Sequence, residues 1–145
     1  MPIKNRFAEL YPAIVSWRHD FHRNPELQYE LPKTAGKVAE LLRAFGCDEV
    51  VEGVGKSGVV GVIRGREDTS RRVIGLRADM DALPIDEKSG VAYKSEISGV
   101  MHACGHDGHT SMLLGAAKYL CETRNFDGKA AVSYTHLTLP TNREV

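Results

Sequence analysis

The stretch "GVVGVIRGREDTSRRVIGLRAD", residues 58–79, decides the fold class. Its two apolar runs, "GVVGVI" and "VIGL", are almost unbroken, and the polar turn "REDTS" lies between them. Short β-branched runs bounded by glycines and polar turns are typical of strands. Because the runs do not alternate with polar residues, they indicate central strands covered on both faces, as in an α/β layered fold.

The flanking segments add helices and further strands to this prediction. "DEVVEGV", residues 48–54, has the composition of another strand, and "GKAAV", residues 128–132, is a candidate for a fourth. Apolar residues recur at steps of three and four from Phe7 to about His22, from Leu31 to about Phe45, and from Asp107 to Cys121. That spacing predicts three amphipathic helices.

Length and charge exclude several classes of protein. A chain of 145 residues with 42% apolar residues has the size of a single domain. Its 19 basic and 19 acidic residues cancel, so the charge indicates neither a nucleic acid nor an anionic membrane as partner. We expect neither a signal peptide nor a membrane-spanning segment, because no apolar run of the required length and flanks occurs.

The cysteines indicate a reducing compartment. There are three, Cys47, Cys104 and Cys121, and their odd number and wide spacing fit no disulfide framework. We therefore expect a cytoplasmic protein, in which Cys47 and Cys121 are ordinary, partly buried thiols.

The densest group of reactive side chains is "MHACGHDGHT", residues 101–110. In an extended segment alternate side chains point the same way, so His102, Cys104 and His106 are expected to converge. Thiolate and imidazole suit zinc and the other later first-row divalent metals. The spacing is not that of a structural zinc module. A Cys104 nucleophile with His106 as its base stays open as an alternative.

A pair of acidic residues follows the second apolar run. Asp79 and Asp81 come at the end of "VIGL", and alternation predicts that both point to one side. The carboxyl ends of strands are where α/β folds place their sites. The alternative is a solvated loop that caps the next element.

The last thirteen residues do not continue the pattern. After the apolar start of the fourth candidate strand, the chain reads "SYTHLTLPTNREV", residues 133–145, with Pro140 where a central strand would need a donor. This peptide resembles a translated sequencing adapter. We therefore predict a domain segment over residues 1–132 and a non-native tail over 133–145, and assign no role to His136. An ordinary polar tail is the alternative.

Three segments together resemble one family: "WRHDFHRNPELQYELPKTA", "GLRADMDALPIDE" and "GVMHACGHDGHTSMLLGAAKYL". They are similar to the metal-dependent amidohydrolases that include hippurate hydrolase, N-acetyldiaminopimelate deacetylase and the auxin-conjugate hydrolases. Aminoacylase and the dinuclear zinc peptidases are more distant relatives. The resemblance implies an α/β catalytic domain, of which this chain is a part, with a mostly parallel central sheet flanked by helices. We expect the family's inserted lid domain to be absent from this sequence.

The resemblance also implies roles for the motif residues. Cys104 and His106 would be ligands of a pair of divalent metal ions (zinc, manganese, nickel or cobalt), and Asp81 would be the acidic residue that supports catalysis. Asp79 falls where the peptidase relatives carry a histidine ligand, so its role is open. The remaining motif residues would shape the site and hydrogen-bond around it: His102, Asp107 and His109.

The implied reaction is hydrolysis of the amide bond of an N-acyl amino acid, such as hippurate or an N-acetyl amino acid, by a metal-activated water. The family's glutamate pair and later histidine ligands are not in this sequence, so we expect this chain alone to be inactive. The full-length relative would be a homodimer or a higher oligomer. A small metal-binding or structural module, or a thiol hydrolase using Cys104, is the alternative. Elsewhere, Trp17 and Phe21 are expected in the core, and His19 and His22 at the surface or as caps.

Overall fold

A computed structural model describes residues 3–136 of the chain and confirms the α/β class. Its elements in chain order are α1 (Ile3–Arg23), α2 (Pro32–Phe45), β1 (Glu49–Val54), β2 (Gly58–Arg64), β3 (Val73–Asp79), α3 (His106–Thr123) and β4 (Lys129–Thr135). All three predicted helices and all four candidate strands are present, with ends that differ from the predictions by a few residues. Across the described residues, no helix has the length and apolar character needed to span a bilayer.

The two ends of helix α2 are set by particular residues of the sequence. At its N-terminus, the Glu26 carboxylate accepts the backbone N–H groups of Lys33 at 3.1 Å and Thr34 at 2.8 Å. Both groups lack a partner within the helix. At its C-terminus, Gly46 takes the left-handed conformation (φ 85°), and its N–H donates to the Arg43 carbonyl. Glycine adopts this conformation without steric cost, so it ends the helix.

The sheet is mixed rather than mostly parallel. Its strand order is β1-β2-β4-β3, and only β3 and β4 run parallel. The pairs β1–β2 and β2–β4 are antiparallel. A three-residue turn joins β1 to β2, and so short a connection forces antiparallel pairing. The chain between β3 and β4 contains α3, which is the long crossover that a parallel pair needs.

One face of the sheet carries the core. Buried residues alternate with less buried ones along β4, and they pair with buried positions of β2: Val59 with Tyr134, Gly61 with Val132, and Ile63 with Ala130. A Cβ at Gly61 would lie 3.2 Å from Leu42 of α2, so the helix approaches the sheet closely there. Phe21 is buried in this core and Trp17 packs against it, as predicted.

Strand β3 does not match the expectation of coverage on both faces. It lies at the edge of the described sheet, and Val73 and Ile74 are each 61% exposed. Ala78, at its other end, is buried under the helices. The apolar composition of a segment indicates that it tends to be buried, but it does not indicate the position of the strand in the sheet. Here β4 lies between β2 and β3.

Helix α1 packs antiparallel along α3. Near the start of α1, Arg6 forms a bidentate ion pair with Glu122, with N–O distances of 2.8 and 2.7 Å. The helices approach closely at Gly115, where a Cβ would lie 2.6 Å from Ile14. The end of α1 thereby reaches the beginning of α3, where the motif lies.

The beginning of the predicted tail is part of the sheet. Ser133, Tyr134 and Thr135 extend β4, and Tyr134 is completely buried. Its neighbours Ser133 and Thr135 fall on the less buried face, so the segment satisfies strand alternation. Pro140 and the rest of residues 137–145 lie outside the described residues. The origin of residues 133–145 stays a prediction.

Candidate metal centre

The acidic segment with Asp79 and Asp81 and the histidine-rich segment, residues 101–110, meet at the end of β3. Helix α3 begins at His106, directly after Gly105, whose φ is 82°. The Thr110 hydroxyl in the first turns of α3 donates to the Asp79 carbonyl at 2.9 Å. This hydrogen bond ties the start of the motif helix to the carboxyl end of the strand, where the sequence predicts the site.

His106 and Asp81 form the best-defined contact of the site. His106 Nδ1 lies 2.8 Å from the Asp81 carbonyl oxygen and 3.1 Å from its Oδ1, and both residues are buried. A carbonyl oxygen only accepts, so Nδ1 carries the hydrogen. In the neutral ring the Nε2 lone pair is then available, which is the usual arrangement of a histidine that binds a metal.

The expected convergence of three ligands on one side does not occur. Cys104 is exposed, whereas His102 and His106 are buried. Alternation requires an extended backbone, and the left-handed Gly105 interrupts it between Cys104 and His106. Within residues 3–136, no three His, Cys, Asp or Glu side chains form a group that could hold a metal ion.

The two aspartates differ in their surroundings. Asp79 Oδ1 lies 2.6 Å from the Arg77 guanidinium, so its charge is neutralised by a neighbour on the same strand. Asp81 instead contacts His106, the first residue of α3. His109 is exposed, and its ring lies 5.7 Å from that of His106.

Asp107 is the centre of a buried charged network. Its side chain is 0% exposed, and its Oδ2 accepts hydrogen bonds from Arg18 Nε and His22 Nδ1, both at 2.7 Å. The opposite ring nitrogen of His22 lies 3.2 Å from Glu87. The network therefore joins α1, the loop after β3 and the first turn of α3. It fixes the helix end that carries His106.

Glu87 is held ionised at its end of the network. Burial raises the pKa of this carboxyl, but hydrogen bonds from the Ser89 hydroxyl, the Ser95 backbone N–H and His22 outweigh burial and lower the pKa to about 2. The carboxylate therefore stays charged at neutral pH and offsets the positive groups of α1.

His102 is buried beside this network without a hydrogen bond. Among the described residues, neither of its ring nitrogens has a partner. Burial lowers its pKa to about 4, against the opposing effect of Asp107, so the ring is neutral at pH 7. It lines a pocket of about 220 Å³ together with Arg18 and Tyr93.

The sequence analysis missed Arg18, His22 and Glu87. The expectation of a surface or capping role for His22 is wrong, because the residue is 3% exposed and bonded to Asp107. His19 is half-buried and stacks on Tyr93, with ring centroids 3.8 Å apart. One signal was available: Arg18 and His22 are four residues apart and so share a helix face. Their partner, more than 80 positions away, was not deducible from spacing.

Comparison with known proteins agrees with the fold and the motifs. Residues 75–136 match Peptidase family M20/M25/M40. Hippurate hydrolase from Campylobacter jejuni is 55% identical over 111 residues, which are 77% of this chain and 28% of that protein. An N-acyl-L-amino acid amidohydrolase from Geobacillus stearothermophilus is 43% identical over 123 residues, covering 85% of this chain and 32% of that protein.

A solved structure gives the same result. The YXEP protein of Bacillus subtilis, a dinuclear metal binding peptidase from the M20 family, superimposes with a TM-score of 0.81 at 35% identity over 88% of this chain and 35% of that protein. The chain thus spans about a third of the length of the relatives it matches. The motifs, the mixed α/β fold and these matches agree: over residues 75–136 the chain is similar to peptidase family M20/M25/M40.

Proposed function

We propose that this chain supplies the Cys104–His106 part of a dinuclear metal site in a hydrolase that cleaves the amide bond of N-acyl amino acids. The substrates would be of the hippurate or N-acetyl amino acid type. This follows the names of the two relatives above, a hippurate hydrolase and an N-acyl-L-amino acid amidohydrolase. We further propose a cytoplasmic, homo-oligomeric full-length protein that binds no nucleic acid.

One observation carries the proposal: the hydrogen bond from His106 Nδ1 to the Asp81 carbonyl. It fixes the tautomer in which Nε2 is free to bind a metal. The exposed thiol of Cys104, two residues earlier, is a second donor of the type that zinc, manganese, nickel or cobalt sites use. These residues fit a metal, and a complete site needs further ligands from elsewhere in the protein.

Cys104 and His106 would help to hold the metal pair, which when bound would supply a water of lowered pKa and polarise the amide carbonyl. The residues of this chain hold and orient the site. Asp81 keeps the His106 ring in one tautomer and one orientation through its carbonyl and its carboxylate. The Asp107 network with Arg18 and His22 holds the start of α3 against α1, so that His106 stays in place.

We also propose that this chain alone is inactive. A general base typically contributes about 10²–10⁴-fold to the rate, and the glutamate pair that the family uses is not in this sequence. The alternatives have less support. A structural zinc module needs four clustered ligands, and residues 3–136 group no three. A thiol hydrolase needs a base at Cys104, whereas Cys104 is exposed and His106 is buried beside Asp81.

Metal binding tests the ligand assignment. The 145-residue chain is titrated with cobalt, and the thiolate-to-metal absorption band is measured. We expect weak binding that is lost in Cys104→Ser and in His106→Ala and is unchanged in His19→Ala, a half-buried histidine on α1. Binding that persists in both ligand variants would overturn the assignment.

A chimera tests the reaction. The matching segment of the Campylobacter jejuni hippurate hydrolase is replaced by residues of this chain, and hippurate and N-acetyl amino acids are assayed. We expect chelator-sensitive hydrolysis by the chimera, loss of it in Cys104→Ser, and none by the 145-residue chain alone. A folded, metal-loaded chimera without hydrolysis would contradict the proposed reaction. Turnover by the chain alone would contradict its inactivity.

A further inference from the structure

Two thiols that are distant in sequence lie in contact on the side of the fold away from the motif. Cys47 follows α2, Cys121 lies in the last turn of α3, and their sulfur atoms are 3.5 Å apart across 74 positions of sequence. Cys47 is half-buried and Cys121 is 8% exposed. The third cysteine, Cys104, is exposed before the start of α3 and is not part of this pair.

The surrounding residues hold the two thiols together. The Arg124 guanidinium, three positions after Cys121, donates to Asp48 at 2.7 Å and to the Gly46 carbonyl at 2.8 Å. Gly46 and Asp48 flank Cys47, so Arg124 ties the two cysteine-bearing segments to each other.

The sheet beneath the pair approaches Cys47 at a glycine. A Cβ at Gly61 of β2 would lie 3.5 Å from Cys47 Sγ, an ordinary van der Waals distance. The same Cβ would crowd Leu42 and Val132, at 3.2 and 3.1 Å, so the missing side chain lets α2 pack closely on the sheet there. The contact therefore belongs to the packing of α2, β2 and α3.

We propose that Cys47 and Cys121 are a redox modification site, at which a peroxide oxidises the two thiols to a reversible intramolecular disulfide. One sulfur attacks a peroxide oxygen, the O–O bond breaks, and the product is a sulfenic acid and one water. The second sulfur then attacks the sulfenic sulfur, the S–O bond breaks and a second water leaves. In total, two thiols and one hydrogen peroxide give one disulfide and two waters.

The local chemistry supports the first step at Cys121. The hydrogen bond with Cys47 lowers the pKa of the Cys121 thiol, and the charge of Arg124 acts in the same direction. A thiolate is the reactive form. The sulfurs must approach from 3.5 Å to about 2.0 Å, the length of a disulfide bond, which side-chain rotation with a small backbone shift can provide.

Oxidation would fasten α3 to the α2–β1 connection. A cross-link over 74 positions restricts the unfolded chain, and links of this length stabilise folded proteins. We expect Tm to rise by about 5 °C or more on oxidation. The start of α3, with His106, would be held more firmly in consequence.

The test uses the reduced 145-residue chain, treated with hydrogen peroxide and digested without reductant. We expect a mass loss of about 2 Da from the joined peptides of Cys47 and Cys121, together with the rise in Tm, and dithiothreitol should reverse both. The matched control Cys104→Ser should still form the link, whereas Cys47→Ser and Cys121→Ser should not.

Two results would overturn the proposal. One is oxidation confined to Cys104 or to disulfides between chains. The other is a stable sulfenic acid at Cys121 with Cys47 still reduced. The peptide maps of the unchanged protein and of Cys104→Ser together decide both, so the inference does not depend on whether the Cys47 and Cys121 variants fold. It is also independent of the proposed function, because neither cysteine is part of the metal site.

Discussion

Helix α3 has a polar first part, residues 106–111 (the polar half), and an apolar remainder, residues 112–123 (the apolar half), and the buried residues of the two are held by different forces. In the polar half, Asp107, Thr110 and Ser111 are each 1% exposed. In the apolar half, Leu114 and Ala117 are 0% exposed. The apolar half packs into the core without directional requirements. The polar half stays buried because α1 and β3 provide specific hydrogen-bond partners.

This difference shows how the proposed metal-binding motif is held on a small scaffold. Apolar packing anchors one half of the helix, and a charged network positions the other half, which carries His106. Buried ion pairs add little stability over an apolar core, but the loss of one partner is costly. The network is therefore suited to orienting a residue, while the core supplies most of the stability.

In the polar half, Asp107→Ala is expected to cause the largest loss in the free energy of unfolding. The substitution leaves Arg18 and His22 without their acceptor, and loss of one member of a buried charged group costs about 4 kcal/mol. We expect a loss of this size in the free energy of unfolding, measured by urea denaturation with a chelator present. The control is Asp20→Ala, at an exposed position of α1, which should cost less than about 1 kcal/mol. A loss below 1 kcal/mol in Asp107→Ala would contradict the importance of the network.

The matching change in the apolar half is Leu114→Ala. It leaves a cavity between α3 and the sheet, and we expect a loss of about 3 kcal/mol in the same denaturation experiment. Met112→Ala, on the same helix but 60% exposed, should change stability by less than about 0.5 kcal/mol. Cobalt titrations distinguish the two variants by their metal binding. Asp107→Ala should weaken metal binding even under conditions where it is folded, whereas Leu114→Ala should weaken it only by unfolding.

The smallest expected effect is a change in pH dependence in Glu87→Gln. The pKa of Glu87 is about 2 in the folded protein, below its ordinary value of 4.5. Its contribution to stability is therefore present above about pH 4.5 and is lost as the pH falls towards 2. We expect the free energy of unfolding of the variant to fall less steeply than that of the unchanged protein across this range. Parallel curves for the two proteins would argue against an ionised Glu87 in the network.

The sequence was informative where the cause of a feature is local. The helices and strands follow from the spacing of apolar residues, and the end of α2 follows from Gly46. The strand order was not predictable, because the position of β4 between β2 and β3 depends on contacts across the whole chain. The same holds for the charged network, in which His22 and Asp107 are 85 positions apart.

The site shows the same division between local and distant causes. The motifs located Asp81 and His106, and the structure brings these two together. The separate position of Cys104 depends on the left-handed backbone of Gly105, which a simple alternation pattern cannot reveal.

The central position of β4 has a consequence for synthesis. This strand pairs with both β2 and β3, yet it follows them in the chain, with Thr135 made 56 residues after its partner Asp79. At about 5–20 residues per second, β3 leaves the ribosome on the order of 3–11 seconds before its partner does. During this interval its exposed edge can pair with other nascent chains. The yield of folded protein in a cell should therefore depend on the speed of translation between these two strands.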